Sequence, residues 1–422
     1  MIRSNRRGRL IRLGAAVVAA LWGGRRLARA SDANAWAAST RSPVAIDEAV
    51  MSDLERIALA HCGPGEEGLR QTALSIVSSD RGGLAAPGPG ALAFAQRVAG
   101  EPHPWARAWR ASAGTLSSAA AVAKLDAWLG REPLGLRRCG VAAGVRAEGQ
   151  HALAVVTVEA LADLAPLPIH ARVGQFLTVD ARLHVHASAA SVMVLGPDGW
   201  PRSLLTAFDG THVRARFAPD SPGEFAVQVV ADTSDGPRPV IEASVFADVP
   251  PPARLADQTA PGEEEADDGV SGDAERLARM VNAARASAGL SRLARDRAID
   301  GVALEHARRM AQAGRLAHDA GDGSPADRIA QAGMRLREAG ENVAHAVDVA
   351  LAHRLIWSSP AHRANLLRRD FDKVGVAVVR DAQGEAWVVE MLARYCFRRL
   401  SARRAGRRLH EAARARRRRS AR

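Results

Sequence analysis

Residues 355–367 read LIWSSPAHRANLL. Apolar spacing up to Trp357 predicts a helix over 347–357, and Pro360 interrupts it, because proline lacks the amide hydrogen and its ring collides with the preceding turn. The break releases His362 from the apolar stripe. What the imidazole then faces depends on two other stretches, LAHDAG (316–321) with His318 and AGENVAHA (339–346) with Glu341. Turns leading off rigid elements are where distant side chains converge. Two imidazoles and a carboxylate gathered in that way can ligate a divalent ion such as zinc or calcium, or can serve as an acid–base cluster.

Around these turns the chain reads as helix, helix, helix, hairpin. AERLARMVNAARASAGL places Leu277, Met280, Val281 and Ala284 on one stripe, and IDGVALEHARRMAQAG does the same with Val302, Ala303, His306 and Met310. VGVAVVRDAQGEAWVVEML (374–392) predicts a closing hairpin whose turn carries Gly384. No HExxH, CxxC pair, P-loop, Rossmann glycine fingerprint or GxSxG elbow occurs, so zincin, NTPase, dehydrogenase and α/β-hydrolase chemistry lack their anchors.

Four stretches in order, VNAARASAGLSRLARDRAIDGVALEHARRMAQAGRLAHDAG, AGENVAHA, WSSPAHRANLL and VGVAVV with WVVEML, resemble the bacterial SCP-like branch of the CAP superfamily, named for cysteine-rich secretory, antigen 5 and pathogenesis-related proteins. The resemblance implies an α/β/α sandwich over 273–394 with a His-Glu-Glu-His cleft, onto which His318, Glu341 and His362 map. Animal and plant relatives take the second Glu from the helix after the Trp, where this chain has Ser358, Ser359 and Pro360; bacterial members commonly carry a Gln near the last strand, where this chain has Glu390, a substitute if it faces the cleft and otherwise a solvated strand-end carboxylate. His306, His345 and His353 read as surface or packing histidines, Trp357 as core, and Asn342, Arg363 and Asn365 as braces of the turns.

Upstream, VPPPARLADQTAPGEEEADDGVSGD makes 251–272 an acidic, Pro-rich linker. Short alternating runs separated by DG, PG and DGP over 163–250 predict an Ig-like β-sandwich. Residues 45–162 hold helical patterns and then a hairpin, and GVAAGVRAEGQHALAVVTVEALA there parallels GVAVVRDAQGEAWVVEMLA near the end of the chain. The segment 45–162 thus reads as an N-terminal α/β domain and a candidate degenerate CAP-like copy, chemically blank because WLGREPLGLRR has no histidine where the later copy has His362. The expected class is multidomain α+β.

The ends of the chain hold much of the formal charge of +12, so the total is not a nucleic-acid signature for the middle of the chain, and no specific nucleic-acid binding is expected. Basic MIRSNRRGRLIR, apolar LGAAVVAALWGG and small Ala28 and Ala30 predict a signal peptide over 1–30 and hence a secreted, periplasmic or envelope location. Export permits a Cys62–Cys139 disulfide and leaves Cys396 over. The Arg-rich tail 395–422 reads as a solvated segment or as a salt-sensitive contact with an anionic envelope surface. Three functions remain open: an extracellular binding module for lipid or protein, a hydrolase using His318 or His362 with Glu341, and a structural envelope protein. Whether the chain is an enzyme is left undecided.

Overall fold

The computed structural model describes residues 36–78, 88–113, 118–130, 135–145, 149, 151–255, 259–264 and 272–395. The expected signal peptide, and the tail from Cys396 onward, lie outside the described residues.

The N-terminal part begins with strand β1 (Ser39–Ser42), followed by helices α1 (Asp53–Cys62), α2 (Glu67–Ser78) and α3 (Pro89–Ala99). Strand β2 (Arg107–Ala113), helix α4 (Ser118–Leu129) and the hairpin β3 (Leu136–Val145) and β4 (His151–Ala160) complete it. Ser52 and Glu55 form a capping box that starts α1, each satisfying an amide of the other residue at a helix end that has no internal acceptors. The three strands pair in the order β2-β4-β3. Cys62 at the end of α1 is bonded to Cys139 on β3, the pairing expected from the sequence.

Two five-stranded sheets follow. They are built from β5 (Ala162–Pro168), β6 (His170–Ala171), β7 (Leu177–Leu183), β8 (Ala189–Leu195), β9 (Pro201–Ser203), β10 (Thr206–Phe208), β11 (His212–Phe217), β12 (Gly223–Thr233) and β13 (Gly236–Ala247). Their orders are β1-β5-β7-β11-β10 and β6-β13-β12-β8-β9, so β1 is contributed from the N-terminal part. Alternation decides the packing: Leu177, Val179, Ala181 and Leu183 of one sheet meet Phe225, Val227 and Val229 of the other in one core.

The C-terminal domain comprises α5 (Asp273–Ser287), β14 (Ala294–Arg295), α6 (Arg297–Ala313), α7 (Pro325–Gln331), β15 (Leu336–Ala346), α8 (Val349–Ser358), α9 (Pro360–Leu366), β16 (Lys373–Arg380) and β17 (Ala386–Tyr395). Its sheet runs β14-β16-β17-β15, leaving β15 on the edge. Along β17, Val388 and Leu392 join a core with α5 and α8, whereas Trp387, Val389 and Met391 join cores with α6 and α7. Side chains two residues apart therefore bury against one helix layer and their neighbours against the other, which makes the expected α/β/α sandwich.

The last strands of both terminal parts follow the same path. A strand leads through α4 in the first part, and through α8 and α9 in the second, to a hairpin, with the first strand beside the last: β2-β4-β3 matches β15-β17-β16. Gly140 and Gly375, which open the two parallel stretches, play the same steric part. A Cβ on Gly140 would lie 2.0 Å from Leu69 of α2, and one on Gly375 would lie 2.4 Å from Ile299 of α6.

Some expectations need correction. Glu341 lies within strand β15, not on a turn. Pro360 ends one helix and also occupies the first turn of another, α9, where its missing amide hydrogen removes no bond. The linker is not wholly solvated: Ala260 and Gly262 are buried, Gly262 against Met280, and Glu263 pairs with Arg354 of α8.

Candidate functional site

His318 and Glu341 are in contact at the edge strand β15, with His362 near His318. The turn after α6 brings His318, β15 supplies Glu341, and α9 carries His362. His318 Nδ1 lies 2.8 Å from Glu341 Oε1. The other carboxylate oxygen accepts from Arg328 of α7, whose guanidinium also donates to the carbonyls of His318 and Gly323. Burial alone would raise the Glu341 carboxyl; the His318 hydrogen bond, with the fields of His318, Arg328 and His306, overrides it and holds the group below its usual range. Glu341 is therefore the acceptor, and His318 Nδ1 the donor, of the bond between them. The second ring nitrogen, Nε2, is then the one His318 can offer a ligand.

His362 is placed by the cap of its helix. Ser359 accepts from the His362 amide at 3.5 Å, and the His362 carbonyl accepts from Asn342 Nδ2 at 3.2 Å. Arg285, itself buried, donates to the carbonyls of Leu366 and Arg368, which satisfies the other end of α9. Burial, with the nearby His318, pushes the His362 imidazole down to about 3, so its ring is uncharged at neutral pH. Asn365 donates to the Glu341 carbonyl at 3.2 Å and to Asn342 Oδ1 at 3.1 Å, and Arg363 donates to the Trp357 carbonyl while lying over its ring. Asn342, Arg363 and Asn365 thus brace the turns as expected, and Trp357 packs against the core.

A family model for CAP, the cysteine-rich secretory protein family, matches residues 278–391. The C-terminal domain is a CAP domain. Among solved structures, this chain is similar to an outer surface protein from Borrelia burgdorferi, with 20% identity over 29% of this chain and 93% of that one and a TM-score of 0.28. It is also similar to an extracellular protein containing a SCP domain from Bacillus anthracis, at 18% identity over 51% of this chain and 64% of that one, with a TM-score of 0.27. A third likeness is to a cysteine-rich secretory protein from Staphylococcus aureus, at 13% identity over 56% and 81% of the two chains, with a TM-score of 0.25. No curated protein matches the chain.

Glu390 does not substitute for the missing second Glu of the CAP cleft. It pairs in register with Asn342, whereas Glu341 pairs with Met391, so the pleat turns Glu390 to the opposite face of the sheet from Glu341. It is not a solvated carboxylate either: it is fully buried, accepts from Asn342 at 3.0 Å, and presents Oε1 to His353 Nδ1 at 3.8 Å. His353 and His306 pack as expected, both fully buried, with His306 bridging Asp322 and the Ala317 carbonyl to hold the turn that carries His318. His345 packs too, beside two carboxylates. Its ring stacks on Trp387 at 4.0 Å and its Nε2 lies 3.1 Å from Glu385 and 3.4 Å from Asp381.

Among the described residues, His345, Asp381 and Glu385 are the one set of three His, Cys, Asp or Glu side chains with ligand atoms within 4.8 Å of one another. The ligand atoms of His318, Glu341 and His362 are not all gathered within that distance. Glu341 instead orients His318, the outer role a carboxylate plays beside a ligating histidine. Arg328 and Gln228 were not foreseen. Arg328 sits in a helix of seven residues with little periodicity to read, and Gln228 lies in another domain.

Proposed function

We propose that the chain is an exported binding protein whose CAP domain takes an extracellular lipid or protein ligand at the edge of β15, with a cation held there through His318 and His362. The observation that carries this reading is the seating of the two rings: His318 Nδ1 lies 2.8 Å from Glu341, which leaves Nε2 for a ligand, and burial pushes the His362 imidazole down, so it is uncharged at neutral pH. Both then offer lone pairs. Imidazole donors suit zinc, whereas calcium needs several oxygens, and both oxygens of Glu341 are engaged by His318 and Arg328. Export is supported by the basic and apolar N-terminal pattern and by the Cys62–Cys139 bond, which persists in oxidising compartments. No helix among the described residues is long and apolar enough to cross a membrane.

In the same reading, the two-sheet domain is an Ig-like spacer or adhesive partner, the N-terminal part is a chemically blank CAP-like copy, and the arginine tail adds attraction to an anionic envelope surface. A hydrolase would also need an attacking group, and the hydroxyl of Ser359, beside His362 in sequence, is committed to Gln228 and to the cap of α9. Zinc and calcium titrations by calorimetry test the proposal, using the His345→Ala background so that the hairpin cluster does not contribute. Zinc binding lost in both His318→Ala and His362→Ala, with the fold retained, supports it. Zinc binding unchanged by either substitution contradicts it.

A further inference from the structure

The CAP cleft is not bounded by CAP residues alone. The turn between β12 and β13 of the sandwich sits on the loop that carries His318. The Asp235 carbonyl accepts from the amides of His318 at 3.1 Å and Asp319 at 3.2 Å, and the Asp235 carboxylate accepts from Arg315 at 2.9 Å. Gly236 follows with φ of +90°, and a Cβ there would stand 2.6 Å from the Cβ of His318. Only a residue without a side chain permits both the backbone angle and the approach.

The same pair of strands reaches the helix that carries His362. Gln228 of β12 is fully buried; its Oε1 accepts from the Ala361 amide at 3.1 Å and its Nε2 donates to Ser359 Oγ at 3.2 Å and to Glu242 Oε1 at 2.8 Å. It therefore satisfies an amide of the first turn of α9 and holds the residue that caps it. A second grip comes from the turn after β8, where the Gly199 carbonyl accepts from Arg363 at 3.4 Å and Trp200 packs against the CAP core.

We infer that the cleft is a two-domain site: the β12–β13 hairpin seats His318 and, through Gln228, fixes the helix bearing His362, so the cleft is complete only with the sandwich docked. A ligand must then enter between the sandwich and the edge of β15. Gln228, Asp235 and Gly236 act as positioning residues. The inference rests on the cleft reading above, but its test needs no ligand, so a failure of zinc binding and a failure of docking give different results.

The experiment compares the full chain with Gln228→Ala and Gly236→Val, which perturb the two grips separately. Two readouts are taken: amide exchange over 359–366, and carbethoxylation of individual histidines by diethyl pyrocarbonate, followed by mass spectrometry. Gln228→Ala is expected to speed exchange over 359–366 at least tenfold. Both variants are expected to speed modification of His318 and His362 at least fivefold, with His345, on the far hairpin, unchanged. Unchanged rates at His318 and His362 in both variants, or acceleration shared equally by His345, would overturn the inference.

Discussion

Glu341 is shared by two cations or potential cations: Nδ1 of His318 lies 2.8 Å from one of its oxygens, and the Arg328 guanidinium holds the other. The carboxylate and the guanidinium are both nearly inaccessible. Desolvating such a pair is compensated only while both partners are present. Glu341→Ala would leave buried Arg328 with only the Asp322 carboxylate, at 3.6 Å, opposite it, and the expected cost is about 3 kcal/mol, the low end of what removing one partner of a buried pair costs. Urea unfolding of the variant against the parent measures it; a loss under about 1 kcal/mol, the range of exposed pairs, would show that the cluster is solvated.

The Cys62–Cys139 bond closes a loop of 77 residues across the N-terminal part. Constraint of the unfolded chain by a loop of that length is worth about 4–5 kcal/mol. Replacing both cysteines by alanine should lower stability by that order, with Cys62 and Cys139 both in the core that joins α1, α4 and β3. Equal melting of parent and variant under non-reducing conditions would contradict the assignment.

A second buried charge cluster lies where the N-terminal part meets the sandwich. Glu66 is raised to about 7 by burial and by the like charge of Glu101, and Glu101 also overcomes the burial of His103 to raise its imidazole. Both groups bind their protons more tightly folded than unfolded. Their contribution is therefore greatest in acid and is lost as pH rises, for Glu66 between its unfolded value of 4.5 and about 7. Glu66→Gln, which mimics the protonated acid, should lose less stability than the parent between pH 5 and pH 8.5. Unfolding curves at the two pH values decide it, and parallel losses would refute the assignment of Glu66.

Much of the CAP domain is legible in the sequence because its elements are strongly periodic. The stripe of Leu277, Met280, Val281 and Ala284 and the turn at Gly384 mark α5 and the final hairpin directly. His318, Glu341 and His362 stand out through the ordered stretches that resemble CAP proteins, and the structure places His318 and Glu341 2.8 Å apart. Strand β15 was hidden because LREAGENVAHA mixes charge, glycine and small residues, as an edge strand with one end in a polar site does. The side of the sheet taken by Glu390 depends on its register with Asn342, which no local pattern encodes. Gln228 lies 131 residues from Ser359, and nothing in either stretch announces that they touch.

The central claim is that two imidazoles face the cleft in fixed and different states, and long-range proton–nitrogen NMR of the histidine rings tests it most directly. In chelator-treated full-length protein, His318 Nδ1 should carry the proton shared with Glu341, and at pH 5 His362 should remain neutral, its titration displaced from the ordinary 6.5 toward about 3. Zinc should then shift the resonances of both rings together. A His362 that titrates near 6.5, or a His318 protonated only on Nε2, would contradict the account.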